Sequence, residues 1–134
     1  MDIKTYQQEA EATKSNTFIQ PGASEHSVAA KASIPTDILH AIIGISTEGG
    51  ELLDVVKKAM FYAKPVDYVN LDEEIGDVLW YIAIYCNARG TTIEDICKTN
   101  NEKLKARFPD KFTTYHANNR DLEKERKILE NGSK

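Results

Sequence analysis

Cysteine is scarce in this 134-residue chain: only Cys86 and Cys97 are present. Two cysteines are too few for a disulfide framework, and their separation is not a metal-ligand spacing. Both fall in apolar helical stretches, where cysteine behaves as a small hydrophobe. Such usage fits a reducing, cytoplasmic setting. Basic charge is not in excess either: 17 Lys and Arg face 21 Asp and Glu, a formal net charge of −4. That balance argues against a partner that is a nucleic-acid polymer, which would demand a basic surface. A small nucleotide stays open, because a local group of Lys or Arg serves it. No apolar run approaches the ~20 residues a membrane span needs. The opening MDIKTYQQEAEATK lacks the apolar core of a signal peptide. Strand signals are nearly absent, and no internal repeat suggests a solenoid.

Helical periodicity is what the chain has. A first short helix is expected over residues 2–14, with Ile3, Tyr6, Ala10 and Thr13 on one side. Residues 15–34, with Pro21-Gly22 and scattered Ser and Ala, read as a linker long enough to serve as a lid or binding loop. A second helix opens at Pro35-Thr36, with Asp37 in its first turn, and stops before Pro65. The third begins near Pro65 or Asp67 and runs to Gly90, a natural left-handed terminator. Thr91 and Glu94 form a capping box for a fourth helix ending near Arg107, ahead of Phe108-Pro109. The segment 117–134 reads as a charged C-terminal helix and tail, with Leu122, Ile128 and Leu129 to bury. The pattern predicts a single all-α domain: an antiparallel helical bundle with a four-helix core plus the C-terminal helix. Helices two and three form its central hairpin.

Four carboxylates stand out on that hairpin. Glu48 and Glu51 are three apart on helix two, as are Glu74 and Asp77 on helix three. Each pair shares a helical face. Glu51 and Asp77 both lie thirteen residues from Lys64, so a turn centred there places them at similar heights. Taken alone, either pair reads as a solvated helix face. Ile75–Cys86, however, is apolar on nearly every side, which predicts a central helix with Asp77 buried in it. A buried carboxylate needs a cation or dense hydrogen bonding. Oxygen-only ligands favour magnesium, with manganese as a substitute, or calcium over zinc. His26, His40 and His116 are scattered, and no Glu-x-x-His of the di-iron bundles occurs. Gly49 and Gly50, costing roughly 1 kcal/mol each against alanine in a helix, imply close approach by a neighbouring helix or by a ligand.

These residues resemble a known family. Glu48-Gly-Gly-Glu51 followed by Glu74-Ile-Gly-Asp77 is similar to the ExxE…ExxD signature of the MazG-like all-α nucleotide pyrophosphohydrolases. GISTEGGELLDVVKKAMFYA resembles that family's first motif helix and LDEEIGDVLWYIA its second. NNEKLKARFPDKF and NRDLEKER resemble the closing segments of its single-domain members. Residues 1–34 match no such pattern. The resemblance implies magnesium-dependent hydrolysis of a (deoxy)nucleoside triphosphate to monophosphate and pyrophosphate, in nucleotide-pool control or house-cleaning, by a homodimer or homotetramer. It makes Glu48, Glu51, Glu74 and Asp77 the metal and catalytic set, with Glu48 or Glu51 the candidate base. A phosphoribosyl-ATP pyrophosphohydrolase would share these acidic motifs. A non-catalytic helical interaction module with a retained metal site is the other alternative.

Around the quartet, Tyr81 falls on the face of Glu74 and Asp77 as a candidate substrate contact. Trp80, next to it, is expected to point elsewhere. Asn100 lies within the apolar stripe Ile93, Ile96, Cys97 and Leu104, where a buried amide would need a partner. Lys103 and Arg107 follow at helical spacing, and with Lys57 and Lys58 they are candidate phosphate contacts. Each basic residue taken alone is more often a solvated surface charge. Helix three, apolar nearly all round, predicts a face that a second subunit covers.

Overall fold

The computed structural model describes residues 1–15 and 34–132, and these are helical with no strand among them. The expected linker therefore falls, but for its ends, outside the described residues. The helices are α1 (Ile3–Thr13), α2 (Thr36–Tyr62), α3 (Tyr68–Arg89), α4 (Ile93–Arg107), α5 (Thr114–Asn118) and α6 (Leu122–Asn131). They group into two compact units, Met1–Gly90 and Thr91–Lys134.

In the first unit α2 and α3 form the expected antiparallel hairpin. Gly44 meets Tyr81, Glu48 meets Glu74 and Asp77, and Val55 shares a cavity wall with Asn70. Numbers fall along one helix as they rise along the other. The register differs from a turn centred on Lys64 by about one helical turn, so Asp77 is level with Glu48 rather than with Glu51. The end of α2 supplies the reason. Its last turn closes at Ala63, which takes the left-handed conformation at φ 50°. Residues 64–67 then double back beside Val55 and Lys58 before α3 begins, and a cavity of about 610 Å³ opens there. Asp67 caps α3, its carboxylate accepting from the Asn70 amide N–H at 3.1 Å. Gly90 ends α3 at φ 66°, as its sequence position predicts.

The core of this unit is small: Ala41, Val55, Ala83, Ile84 and Cys86 are buried, with Ala10 of α1. Helix α3 is less enclosed than its composition predicts. Ile75 and Leu79 are 48% and 40% exposed, and Asp77 is exposed rather than buried. The apolar residues of α3 outnumber the positions that α1 and α2 cover.

The expected side of α1 is also displaced, since Gln7 and Ala10 are its buried residues while Ile3 is exposed. Polar contacts dock this helix. Gln7 Nε2 donates to Asn87 Oδ1 at 2.7 Å, and Asn87 Nδ2 donates back to the Gln7 carbonyl at 3.1 Å. Trp80 Nε1 donates to Thr13 Oγ1 at 2.7 Å, and Lys14 pairs with Asp37 at 2.7 Å.

In the second unit the cap of α4 lies one residue beyond the expected box. Thr92 Oγ1 accepts from the Asp95 amide at 3.0 Å, and its hydroxyl donates to Asp95 Oδ2 at 2.6 Å. Along α4 the expected stripe is half right. Ile93 and Thr99 are buried, whereas Ile96, Cys97 and Asn100 are exposed. Helix α6 closes on α4 through Gly132, where a Cβ would strike the Thr99 side chain. Leu122 is exposed, and the buried residue of α6 is Glu125. Its carboxylate takes two bonds from Arg107, at 2.8 and 2.6 Å, and two from Arg120, at 2.6 Å from Nη2 and 3.4 Å from Nε. Periodicity of apolar residues cannot find a buried carboxylate that two guanidiniums satisfy.

Two outcomes are expected. Substituting Gly44→Ala places a methyl inside the Tyr81 ring, which His40 and Trp80 brace edge-on at 5.4 and 4.9 Å. Thermal or urea unfolding should show a loss of about 1–3 kcal/mol, the usual cost of overpacking. The Arg107 and Arg120 bonds hold the Glu125 carboxyl at about 2, below its ordinary 4.5. A depressed carboxylate contributes stability above its unfolded pKa and loses it as pH falls towards the folded value. Acid titration of Tm should therefore show a decline between about pH 4.5 and 2 that Glu125→Gln flattens, with a lower Tm for the variant at neutral pH.

Candidate metal centre

Three of the four predicted acidic residues converge. Glu48 of α2 and Glu74 and Asp77 of α3 each offer a carboxylate oxygen, all within 4.8 Å of one another. Glu48 and Glu74 are half-buried and Asp77 opens to solvent. Helical spacing stacks Glu74 and Asp77 on one face of α3, and the close approach at Gly44 brings α2 near enough for Glu48 to join them. Asn70 Nδ2 donates to Glu74 Oε1 at 2.8 Å and fixes that side chain. Thr47 Oγ1 approaches Glu48 Oε1 at 3.4 Å.

The electrostatics are those of crowded like charges. Burial raises the Glu48 carboxyl first, followed by a side-chain hydrogen bond with Glu74 that needs a proton on one partner. The charges of Asp77 and Glu74 raise it further, against a small opposing bond from Thr47. Two tyrosines border the group. Tyr81 is raised by burial and then by Glu48 and Asp77; Tyr6 of α1 is raised by burial and then by Asp77. The Tyr6 hydroxyl donates to the carbonyl of Gly76 at 3.4 Å. Sequence reasoning placed Tyr81 here and missed Tyr6, because α1 lies outside every motif and its docking is polar.

The donor set fits a hard divalent cation. It is all oxygen, it carries three formal negative charges when ionised, and its members oppose each other's ionisation. A lone lysine would leave most of that charge uncompensated.

The other predicted residues are placed differently. Glu51 is exposed and outside the three-carboxylate group. Lys57 and Lys58 both pair with Asp54, Lys58 at 2.7 Å, which holds that carboxyl at about 2. Trp80 does not diverge from Tyr81 but stacks edge-on against it. In the second unit, exposed Asn100 accepts from Lys103 Nζ at 2.7 Å, so it is not a buried amide awaiting a ligand. Arg107 is engaged by Glu125. Added Cβ atoms at Gly49 and Gly50 would meet nothing within 4 Å among the described residues, so no described helix packs closely against them. No helix among these residues is long and apolar enough to cross a membrane.

No curated protein and no solved structure matches the chain. The family model of the MazG nucleotide pyrophosphohydrolase domain matches residues 38–112, more than half of it. The matched span takes in nearly all of α2 and the whole of α3 and α4, and Glu48, Glu51, Glu74 and Asp77 fall inside it. The chain belongs to the MazG nucleotide pyrophosphohydrolase family.

Proposed function

We propose that this protein is a magnesium-dependent nucleoside triphosphate pyrophosphohydrolase that converts a (deoxy)nucleoside triphosphate to the monophosphate and pyrophosphate, in nucleotide-pool control or house-cleaning. The observation that carries the reading is the convergence of Glu48, Glu74 and Asp77 within the family-matched segment. In it, these three side chains hold Mg²⁺, with Mn²⁺ able to substitute. When bound, the cation neutralises phosphate charge and lowers the pKa of water.

The chain's own residues do the rest. Asn70 keeps Glu74 in its ligating rotamer by the 2.8 Å bond. Glu51 lies one turn from Glu48 on the same face but outside the cluster, which leaves it able to receive a proton. Water adds to the α-phosphorus and its proton passes to Glu51. The bridging P–O bond breaks, and pyrophosphate leaves with the electron pair. Tyr81, beside Glu48 and Asp77, contacts the substrate through its hydroxyl.

Assembly follows from exposed apolar surface on the same hairpin. Leu53, Met60 and Phe61 of α2 are 69%, 71% and 74% exposed, and Ile75 and Leu79 add to them on α3. Exposed apolar surface of this kind favours association, and a second copy of the chain is the occupant in this reading.

A panel of common and modified dNTPs and NTPs with Mg²⁺, read by pyrophosphate release, is expected to show turnover of at least one; none at all would refute the activity. Glu51→Gln should cost about 10²–10⁴-fold in kcat while Mn²⁺ affinity stays within a few-fold. Glu74→Gln and Asp77→Asn should lose both, with helicity unchanged by circular dichroism. Should Glu51→Gln lose Mn²⁺ equally, Glu51 is a ligand and not the base. Leu53→Glu is expected to lower the mass measured by light scattering to that of a smaller assembly.

A further inference from the structure

Helix α1 precedes the family-matched segment, and its sequence gives it little apolar surface with which to bind anything. It is nonetheless fixed along α3 from Gly76 to Asn87 by side-chain hydrogen bonds. One of those contacts differs from the rest in strength and position. Bonds from Gln7, Asn87 and Trp80 lie between 2.7 and 3.1 Å, while the Tyr6 hydroxyl stands 3.4 Å from the Gly76 carbonyl. Hydroxyl donors ordinarily sit 2.5–3.0 Å from their acceptors, so this bond is long and weak. A carbonyl inside α3 also has its helical partner, so it loses little if Tyr6 turns away.

Gly76 lies between Glu74 and Asp77 in the chain, and the charge of Asp77 acts on the Tyr6 hydroxyl. Polyphosphate brought to three carboxylates needs donors as well as a cation, since its oxygens are acceptors only. Within this unit the nearby candidates are largely committed: Asn70 to Glu74, and Lys57 and Lys58 to Asp54. Tyr6 presents an O–H donor at the edge of the cluster, held there by a docked helix and weakly engaged.

We propose that Tyr6 is a substrate-binding residue of this site, its hydroxyl exchanging the Gly76 carbonyl for an oxygen of the triphosphate. The assignment rests on the pyrophosphohydrolase reading and gives residues 1–15 a direct part in it. It makes α1 a component of the substrate site and not merely a brace for α3.

The test is Tyr6→Phe, which removes one oxygen and keeps the packing. Titration calorimetry uses full-length protein, Mg²⁺ and the α,β-imido analogues of the common dNTPs, which cannot be cut at the bridge. Wild type is expected to bind at least one analogue, and Tyr6→Phe to bind it about tenfold more weakly, the scale of one hydrogen bond to a charged group. Mn²⁺ affinity without nucleotide should be the same for both proteins. Equal analogue binding by wild type and variant overturns the role of Tyr6 and leaves the pyrophosphohydrolase reading standing. An equal loss of Mn²⁺ and analogue affinity also overturns it, since the residue would then act by positioning Glu74 and Asp77. Wild type that binds no analogue and hydrolyses no nucleotide overturns both.

Discussion

Unit charges about 5 Å apart repel by roughly 3 kcal/mol at the effective dielectric of a protein surface, and this hairpin gathers three of them. The fold must hold Glu48, Glu74 and Asp77 together against that repulsion, and the contact that does so is the approach of α2 to α3 at Gly44. With no side chain at that position, the Tyr81 ring fills the space a Cβ would take, braced by His40 and Trp80. The separation set there, and the register set by the doubled-back residues 64–67, decide which carboxylates meet. Crowding shows in the raised Glu48 carboxyl. A cation held there would relieve it, and the crowding would then supply part of the free energy of metal binding.

Much of this was legible in the residues alone. Boundaries of the first four helices came within one to three residues because Pro65, Gly90 and Phe108-Pro109 are strong punctuation, whereas the short helix Thr114–Asn118 was not expected. The pairing of α2 with α3 and the two acidic pairs followed from periodicity. The register did not, because the path of a five-residue connection depends on Ala63 adopting a left-handed conformation that alanine rarely takes. That one turn of difference is why Glu48 and not Glu51 meets Asp77. Burial was misjudged wherever composition stood in for coverage: Asp77 and Leu79 sit in an apolar run, yet too few of the described helices cover it. Glu125 failed in the opposite sense, its burial depending on Arg107 and Arg120, eighteen and five residues away. Tyr6 could not be read because nothing in α1's pattern announces a helix held by hydrogen bonds.

The basic residues illustrate the difference between carrying a charge and having it free. Lys57 and Lys58 are within the motif helix, but Asp54, one turn earlier, engages both. Arg107 is the structural partner of a buried carboxylate. The charge of Lys57 and Lys58 on the hairpin is thus internal compensation.

The polar docking of α1 has a thermodynamic consequence. A helix anchored by a few hydrogen bonds and one small buried alanine opens at lower free energy than the α2–α3 pair it rests on. If its hydroxyl touches the ligand, linkage runs both ways: whatever binds at the carboxylates must also suppress the opening of α1, by the same factor that a closed α1 adds to binding. Affinity for substrate is then partly a measure of how often the first thirteen residues of the chain are in place, so the amino-terminal sequence tunes the site through occupancy of the closed state as well as through contact.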